Sequence, residues 1–166
     1  DISSAIAHVI VGQPVFTPKF VNVVGPRSLL DKIDKVYSDT LSLSGLREDL
    51  NITLDLQTGM PRYVTVKPRA LKFFADVQII AENRVSNVPV NVRGNLKTKL
   101  NIVPKKVMVK IRGGVDVVSS VDPLSDLSLY VDYSNDGKNR IDVKSEVRGS
   151  NFEILSIEPK QIEIVR

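Results

Sequence analysis

The sequence contains no cysteine and no tryptophan, one histidine (His8), and only four tyrosines and five phenylalanines among 166 residues. Without cysteine there is no disulfide, no thiolate-held metal and no thiol nucleophile. A single histidine excludes a two-histidine metal site, and a Ser-His-acid triad would have to be assembled on His8 alone. A half-exposed strand residue is the simpler reading of it. With so few aromatic residues the core must be built mainly from Val, Ile and Leu. No apolar run approaches the roughly 20 residues of a membrane-spanning helix, and no signal-peptide pattern opens the sequence. Beginning at Asp1 without Met, it reads as a piece of something larger, from which a membrane anchor has room to be missing. Acidic residues are scattered over turns and strand ends, with no close pair marking a glycosidase or a two-metal site. No catalytic, cofactor-binding or metal-ligating residue is expected, and no small-molecule substrate. The chain is not read as an enzyme.

What the sequence does contain is repetition. Pro18-Lys19-Phe20-Val21-Asn22-Val23, Pro68-Arg69-Ala70-Leu71-Lys72-Phe73, Pro104-Lys105-Lys106-Val107-Met108-Val109 and Pro159-Lys160-Gln161-Ile162-Glu163-Ile164 share one pattern: Pro, basic, any, apolar, any, apolar. Proline has no amide proton for a β-ladder, so it is expected at a strand's first position or on an edge. The alternation that follows is the period of a strand with one buried face. The prolines lie 50, 36 and 55 residues apart, a long-short-long rhythm that implies two copies of one β-module. Superposed at an offset of 86, Pro18 falls on Pro104, Val21 on Val107 and Val23 on Val109. After small insertions Leu41 and Leu43 fall on Leu129 and Val131, and Val66, Pro68, Leu71 and Phe73 on Ile157, Pro159, Ile162 and Ile164.

The expected fold is mainly β: two tandem β-rich modules, residues 1–85 and 86–166, each with one short helix. Asn83-Arg84-Val85-Ser86-Asn87, polar and turn-prone, is taken as the junction. Strands are expected at 7–11, 20–24, 51–56, 63–67 and 71–80 in the first copy. In the second they are expected at 88–92, 99–103, 106–112, 127–133, 140–147, 152–158 and 161–165. Between Ser28 and Tyr37 the apolar residues recur at 29, 30, 33, 36 and 37, a helical stripe with Ser28 as N-cap. The equivalent segment, 115–121, is β-branched and serine-rich and makes a weaker helix candidate.

Charge supplies the one candidate surface. The formal net charge is +4. Arg93, Lys97, Lys99, Lys105, Lys106, Lys110 and Arg112 are seven bases in twenty residues with no acid among them. They offer a surface for an anionic partner such as phospholipid headgroups, nucleic acid or an acidic protein face. A solvated outer sheet face, on which lysines discourage edge-to-edge pairing, is the competing and preferred reading. No aromatic residue interleaves these bases, which disfavours nucleic acid, since a single strand would need a stacking platform. Asp132-Tyr133-Ser134-Asn135-Asp136-Gly137 resembles half a calcium loop, but Val143 stands where a bidentate Glu belongs, so a hairpin turn is the better reading. Asn51-Ile52-Thr53 is a formal sequon inside an expected strand, and Gly113-Gly114 lacks the Lys-Ser/Thr of a phosphate loop.

The repeat period of just over 80 residues and the Pro-Lys-x-Val-x-Val strands resemble YbbR-like domains. So do Val23-Val24-Gly25-Pro26-Arg27-Ser28-Leu29-Leu30 running into Lys32-Ile33, and the Leu41-Ser42-Leu43-Ser44-Gly45 step. Ser42 stands where that family usually has Asp, and the second copy has Tyr130-Val131-Asp132-Tyr133 in place of Ser-Gly. The resemblance spans almost the whole chain as two tandem domains. It implies a bacterial protein on the extracytoplasmic face of the cell membrane, held by an N-terminal anchor, with a membrane-bound diadenylate cyclase as partner and cyclic di-AMP output as the regulated quantity. It implies no catalytic residues. The membrane surface is a further expected partner. A nucleic-acid-binding module using the basic 93–112 surface and an envelope scaffold or adhesin repeat are the alternatives.

Overall fold

The computed structural model describes residues 1–56, 59–94, 100–133, 139–147 and 151–165. In chain order its elements are β1 (Ile2–Ser4), β2 (His8–Thr17), β3 (Asn22–Val24), α1 (Arg27–Leu30), β4 (Leu43–Leu46), β5 (Leu50–Asp55), β6 (Thr65–Lys67) and β7 (Ala70–Arg93). There follow β8 (Asn101–Val103), β9 (Lys106–Gly114), α2 (Val115–Ser120), β10 (Leu127–Asp132), β11 (Arg140–Asp142), β12 (Lys144–Val147), β13 (Phe152–Glu158) and β14 (Gln161–Val165). The protein is mainly β, with two short helices. It divides into two compact units, Asp1–Ile79 and Ile80–Arg166. The stretch 83–87, read from sequence as a turn, lies inside β7.

One pairing scheme runs through both units. In the first, β2 and β5 flank residues 70–79 of β7, both antiparallel, with Phe16 opposite Phe73 and Leu54 opposite Leu71. In the second, β8 and β11 flank β14 in the same way, with Ile102 opposite Ile164 and Ile141 opposite Ile162. Strand β3 is antiparallel to β6 with Val23 opposite Val66, and β9 to β13 with Val109 opposite Ile157. A parallel pair completes each unit: β1 with β4, and residues 90–93 of β7 with β10. The residues that sequence superposition equates therefore occupy equal places in the ladders.

The four repeated prolines have a different role from the one expected. Each follows a cis peptide bond and, with its basic neighbour, forms a two-residue corner ahead of the next strand instead of the strand's first residue. At each corner the chain leaves one strand pair for another. At Pro18 it passes from β2, beside β7, to β3, beside β6; Pro68 returns it from β6 to β7. Pro104 and Pro159 do the same between the β8–β14 and β9–β13 pairs. A residue without an amide donor leaves no ladder bond unmade at such a step.

The alternation of the strands sets what is buried. Along β9, Val107, Val109 and Ile111 are between 0 and 3% exposed while the intervening residues face outward. They join Val85, Val88, Val90, Ile102, Val118, Leu127, Leu129, Val131, Val143, Ile162 and Ile164 in the core of the second unit. The first unit buries fewer: Leu56, Val64, Val66, Phe73, Ala75 and Val77. Its Phe16 and Phe73 rings pack with centroids 5.0 Å apart, yet Phe16 stays 45% exposed.

The helices reverse the sequence expectation. The strong-looking segment 28–37 is helical only over Arg27–Leu30, with Pro26 and not Ser28 at the N-cap. Beyond it the amides of Lys32 and Ile33 bond three residues back, to Leu29 and Leu30, and the turn tightens and ends. None of its residues is buried, and a short helix without a packed face has little to hold it. The β-branched segment Val115–Ser120 is the longer helix, because Val118 enters the core at 2% exposure. Side chains donate to its carbonyls: Asn83 Nδ2 to Val118 at 2.7 Å, and Ser120 Oγ to Asp116 at 2.8 Å. Replacing Asn83 by Ala is expected to cost about 1 kcal/mol through the orphaned Val118 carbonyl, read as a shift in the urea midpoint at unchanged m-value.

Candidate interaction surface

The basic residues singled out by sequence fall on one strand and its surroundings. Lys106, Lys110 and Arg112 alternate with the buried valines of β9 and point outward. The neighbouring strands put carboxylates beside two of them. Arg112 has Glu82 of β7 and Glu153 of β13 as its cross-strand neighbours. Lys110 Nζ lies 2.6 Å from Glu82 Oε2, and Arg112 Nε 3.9 Å from Glu153 Oε1. With Arg84 on β7 and Glu158 on β13, this face carries both signs of charge.

Arg93, at the end of β7, is engaged twice. Its two terminal nitrogens donate to the two carboxylate oxygens of Glu146 on β12 at 2.8 and 2.9 Å, a forked geometry suited to a carboxylate. The guanidinium also stacks over the Tyr130 ring, 3.6 Å from its centroid. Lys105 and Lys106, at and just after the Pro104 corner, are exposed and make no ion pair with the described residues. Lys97 and Lys99 lie outside the described residues. Of the seven bases, three thus hold carboxylates supplied by distant strands.

These pairs set the few electrostatic shifts. The Glu82 carboxyl is held below its usual range chiefly by the hydrogen bond from Lys110, with the charges of Lys110, Arg112 and Arg84 adding to it against a desolvation cost. A depressed carboxylate stabilises the fold above its unfolded pKa and loses that contribution as pH falls through the folded value. Replacing Lys110 by Met is therefore expected to move the Glu82 titration upward, a shift readable from its side-chain carboxyl resonance. Lys144 is raised by its hydrogen bond to Asp132, so its contribution fades only as pH climbs through the folded lysine value.

The remaining sequence candidates are placed as follows. His8 opens β2 opposite Ile79, half-exposed, with Nδ1 3.0 Å from the Ile6 carbonyl. Of the calcium-like loop, Asp132 pairs with Lys144 at 2.7 Å, and residues 134–138 lie outside the described residues. Among the described residues no group of three His, Cys, Asp or Glu side chains is placed to hold a metal ion. None of their helices is long and apolar enough to cross a membrane.

The first unit presents a different surface. Phe20, Val24, Tyr37 and Tyr63 are 87, 52, 66 and 72% exposed. Two of these, Phe20 and Val24, occupy the positions that superpose on Lys106 and Lys110. Sequence reading of charge alone missed this surface. The signal was there in the superposed repeats, as two apolar residues where the second copy has lysines.

Comparison with known proteins gives residues 7–79 a match to the family described as YbbR-like protein; the first unit contains a YbbR-like domain. Among solved structures, the chain is similar to a YbbR-like domain from Listeria monocytogenes. The identity is 23%, the match covers 51% of this chain and 92% of that one, and the TM-score is 0.40. It is also similar to a YbbR-like protein from Streptococcus pneumoniae, at 13% identity over 99% of this chain and 89% of that one, with a TM-score of 0.37. No curated protein matches the chain.

Proposed function

We propose that this chain, which carries a YbbR-like domain, is a non-enzymatic protein-interaction module of a bacterial membrane protein, exposed on the extracytoplasmic face and acting on a membrane-bound diadenylate cyclase to set cyclic di-AMP output. The observation that carries the reading is the family match over residues 7–79. The architecture is consistent with it: strand units joined by two-residue corners offer firm edges and faces, which suit binding of another chain by strand addition or surface contact. In this proposal regulation passes through an N-terminal membrane anchor, so a soluble copy without the anchor does not regulate.

The test is co-expression of the membrane-anchored protein with the host's diadenylate cyclase, followed by co-purification and measurement of cyclic di-AMP. A stable complex that changes nucleotide output supports the proposal. No complex and unchanged output would reject the cyclase role, and normal regulation by an anchorless copy would reject transmission through the anchor.

A further inference from the structure

We propose that the two proline corners of the first unit form a docking site for an extended, carboxylate-rich segment of a partner protein, held by Lys19, Lys67, Arg69 and Lys72. The ladders bring these four bases to one place. Lys67 closes β6 opposite Asn22 at the start of β3, and Lys72 lies on β7 opposite Thr17 at the end of β2. The two corners between those pairs, Pro18-Lys19 and Pro68-Arg69, therefore run side by side. All four bases are exposed, and none makes an ion pair with the described residues. Asp55, opposite Ala70, is the one acid on the ladder positions around them.

The second unit has the same corners with a different charge balance. Its equivalent positions carry Lys105, Glu158, Lys160 and Glu163, so that bases and acids cancel. Glu163 is matched again by its ladder neighbour Arg140, whose Nη2 lies 2.8 Å from Oε1. In the place of Glu163 the first unit has Lys72, flanked by Thr17 and Thr53, which supply hydroxyls and no countercharge. The four positions are exposed in the second unit too, where β9 is paired on both sides. Their exposure belongs to the corners and does not depend on what lies along the other edge of β3. Four like charges on adjacent corners repel one another in the free chain, and a partner of opposite charge relieves that repulsion as it binds. Carboxylates are what this protein sets against its own bases: Glu82 against Lys110, Glu146 against Arg93, Glu163 against Arg140. The bases also lie on both strand pairs that the corners join. An extended chain can follow that path from one pair to the other, whereas a flat lipid surface meets a corner only at its tip.

This inference rests on the protein-interaction reading and is independent of the cyclase assignment, which the nucleotide assay tests separately. The experiment titrates the full chain, isotopically labelled, with a synthetic peptide of alternating Glu and Ser at low salt. Binding is expected, with amide shifts concentrated in residues 17–22 and 65–73, and it is expected to weaken as salt is added. Lys67→Glu with Lys72→Glu is expected to weaken binding by about tenfold or more. That variant copies glutamates the second unit already carries, and its dispersed spectrum would verify that it folds. Lys105→Ala with Lys106→Ala, at the second unit's corner, is expected to leave binding unchanged. No binding, shifts centred elsewhere in the chain, undiminished binding to the glutamate variant, or an equal loss in both variants would overturn the proposal. Tighter binding at the same corners by phosphatidylglycerol vesicles or by a DNA duplex would make a phosphate-bearing surface the occupant and would overturn it also.

Discussion

Val109→Asp is expected to unfold the second unit at neutral pH. Val109 has no solvent exposure and lies between Val85 and Ile157 on the two strands that flank β9. A carboxylate there enters a core of Val, Ile and Leu in which no polar or charged residue is buried. An uncompensated buried charge costs about 3–5 kcal/mol or more, comparable to the whole stability of a small domain. Burial favours the protonated acid, so the variant should be least unstable at acid pH and worsen as pH rises. The equivalent change in the first unit, Val23→Asp, should be tolerated far better in this chain, because Val23 is half-buried on a strand paired on one side only among the described residues. Urea titrations of both variants, followed by circular dichroism and by NMR spectra of each unit's resonances, would check the contrast.

The second large effect is expected from Leu129→Ala. Leu129 is fully buried on β10, between Val90 of β7 in the parallel ladder and Ser145 of β12 in the antiparallel one. Truncation removes three carbons and leaves a cavity that flanking β strands cannot collapse into, at a cost of about 3–5 kcal/mol. Its counterpart Leu41 is only partly buried in a segment without regular structure, and Leu41→Ala should cost clearly less. Unfolding free energies from the same urea experiment decide it. Similar losses at the two positions would mean that the first unit packs there as tightly as the second.

Much of the strand inventory was legible because burial imposes a two-residue period that no other element shares. The alternation at 106–112, 152–158 and 161–165 marks β9, β13 and β14 to within a residue or two. Where burial is partial the marking fails. The short β1 and β4 have mostly half-exposed or exposed residues and no alternation to detect. Polar residues at 82–87 concealed the continuity of β7. Glu82 and Arg84 are its outward face, and Asn87, at φ 61, takes up the left-handed conformation that a turn would have used within a ladder irregularity between Val85 and Val88. Helix α1 was overestimated because apolar periodicity says which face would be buried, not whether anything lies there to bury it.

The candidate surface was legible only in part, for a topological reason. That Arg93 to Arg112 is rich in bases can be read directly. That Arg93 meets Glu146, Lys110 meets Glu82 and Arg112 meets Glu153 cannot, because each partner sits on a strand brought alongside by long-range pairing. The one-sided pairing of β3 is the converse case. It is visible by setting one unit's ladders against the other's: among the described residues β9 and β10 are each paired on two sides, while β3 and β4 are each paired on one.

Amide hydrogen exchange on the full chain, resolved by residue, tests this difference between the units most directly. Strong protection is expected along Val107–Ile111, where β9 is bonded on both sides, and fast exchange for those amides of Asn22–Val24 that do not face β6. Protection along β3 equal to that along β9 in the free, monomeric chain would contradict it.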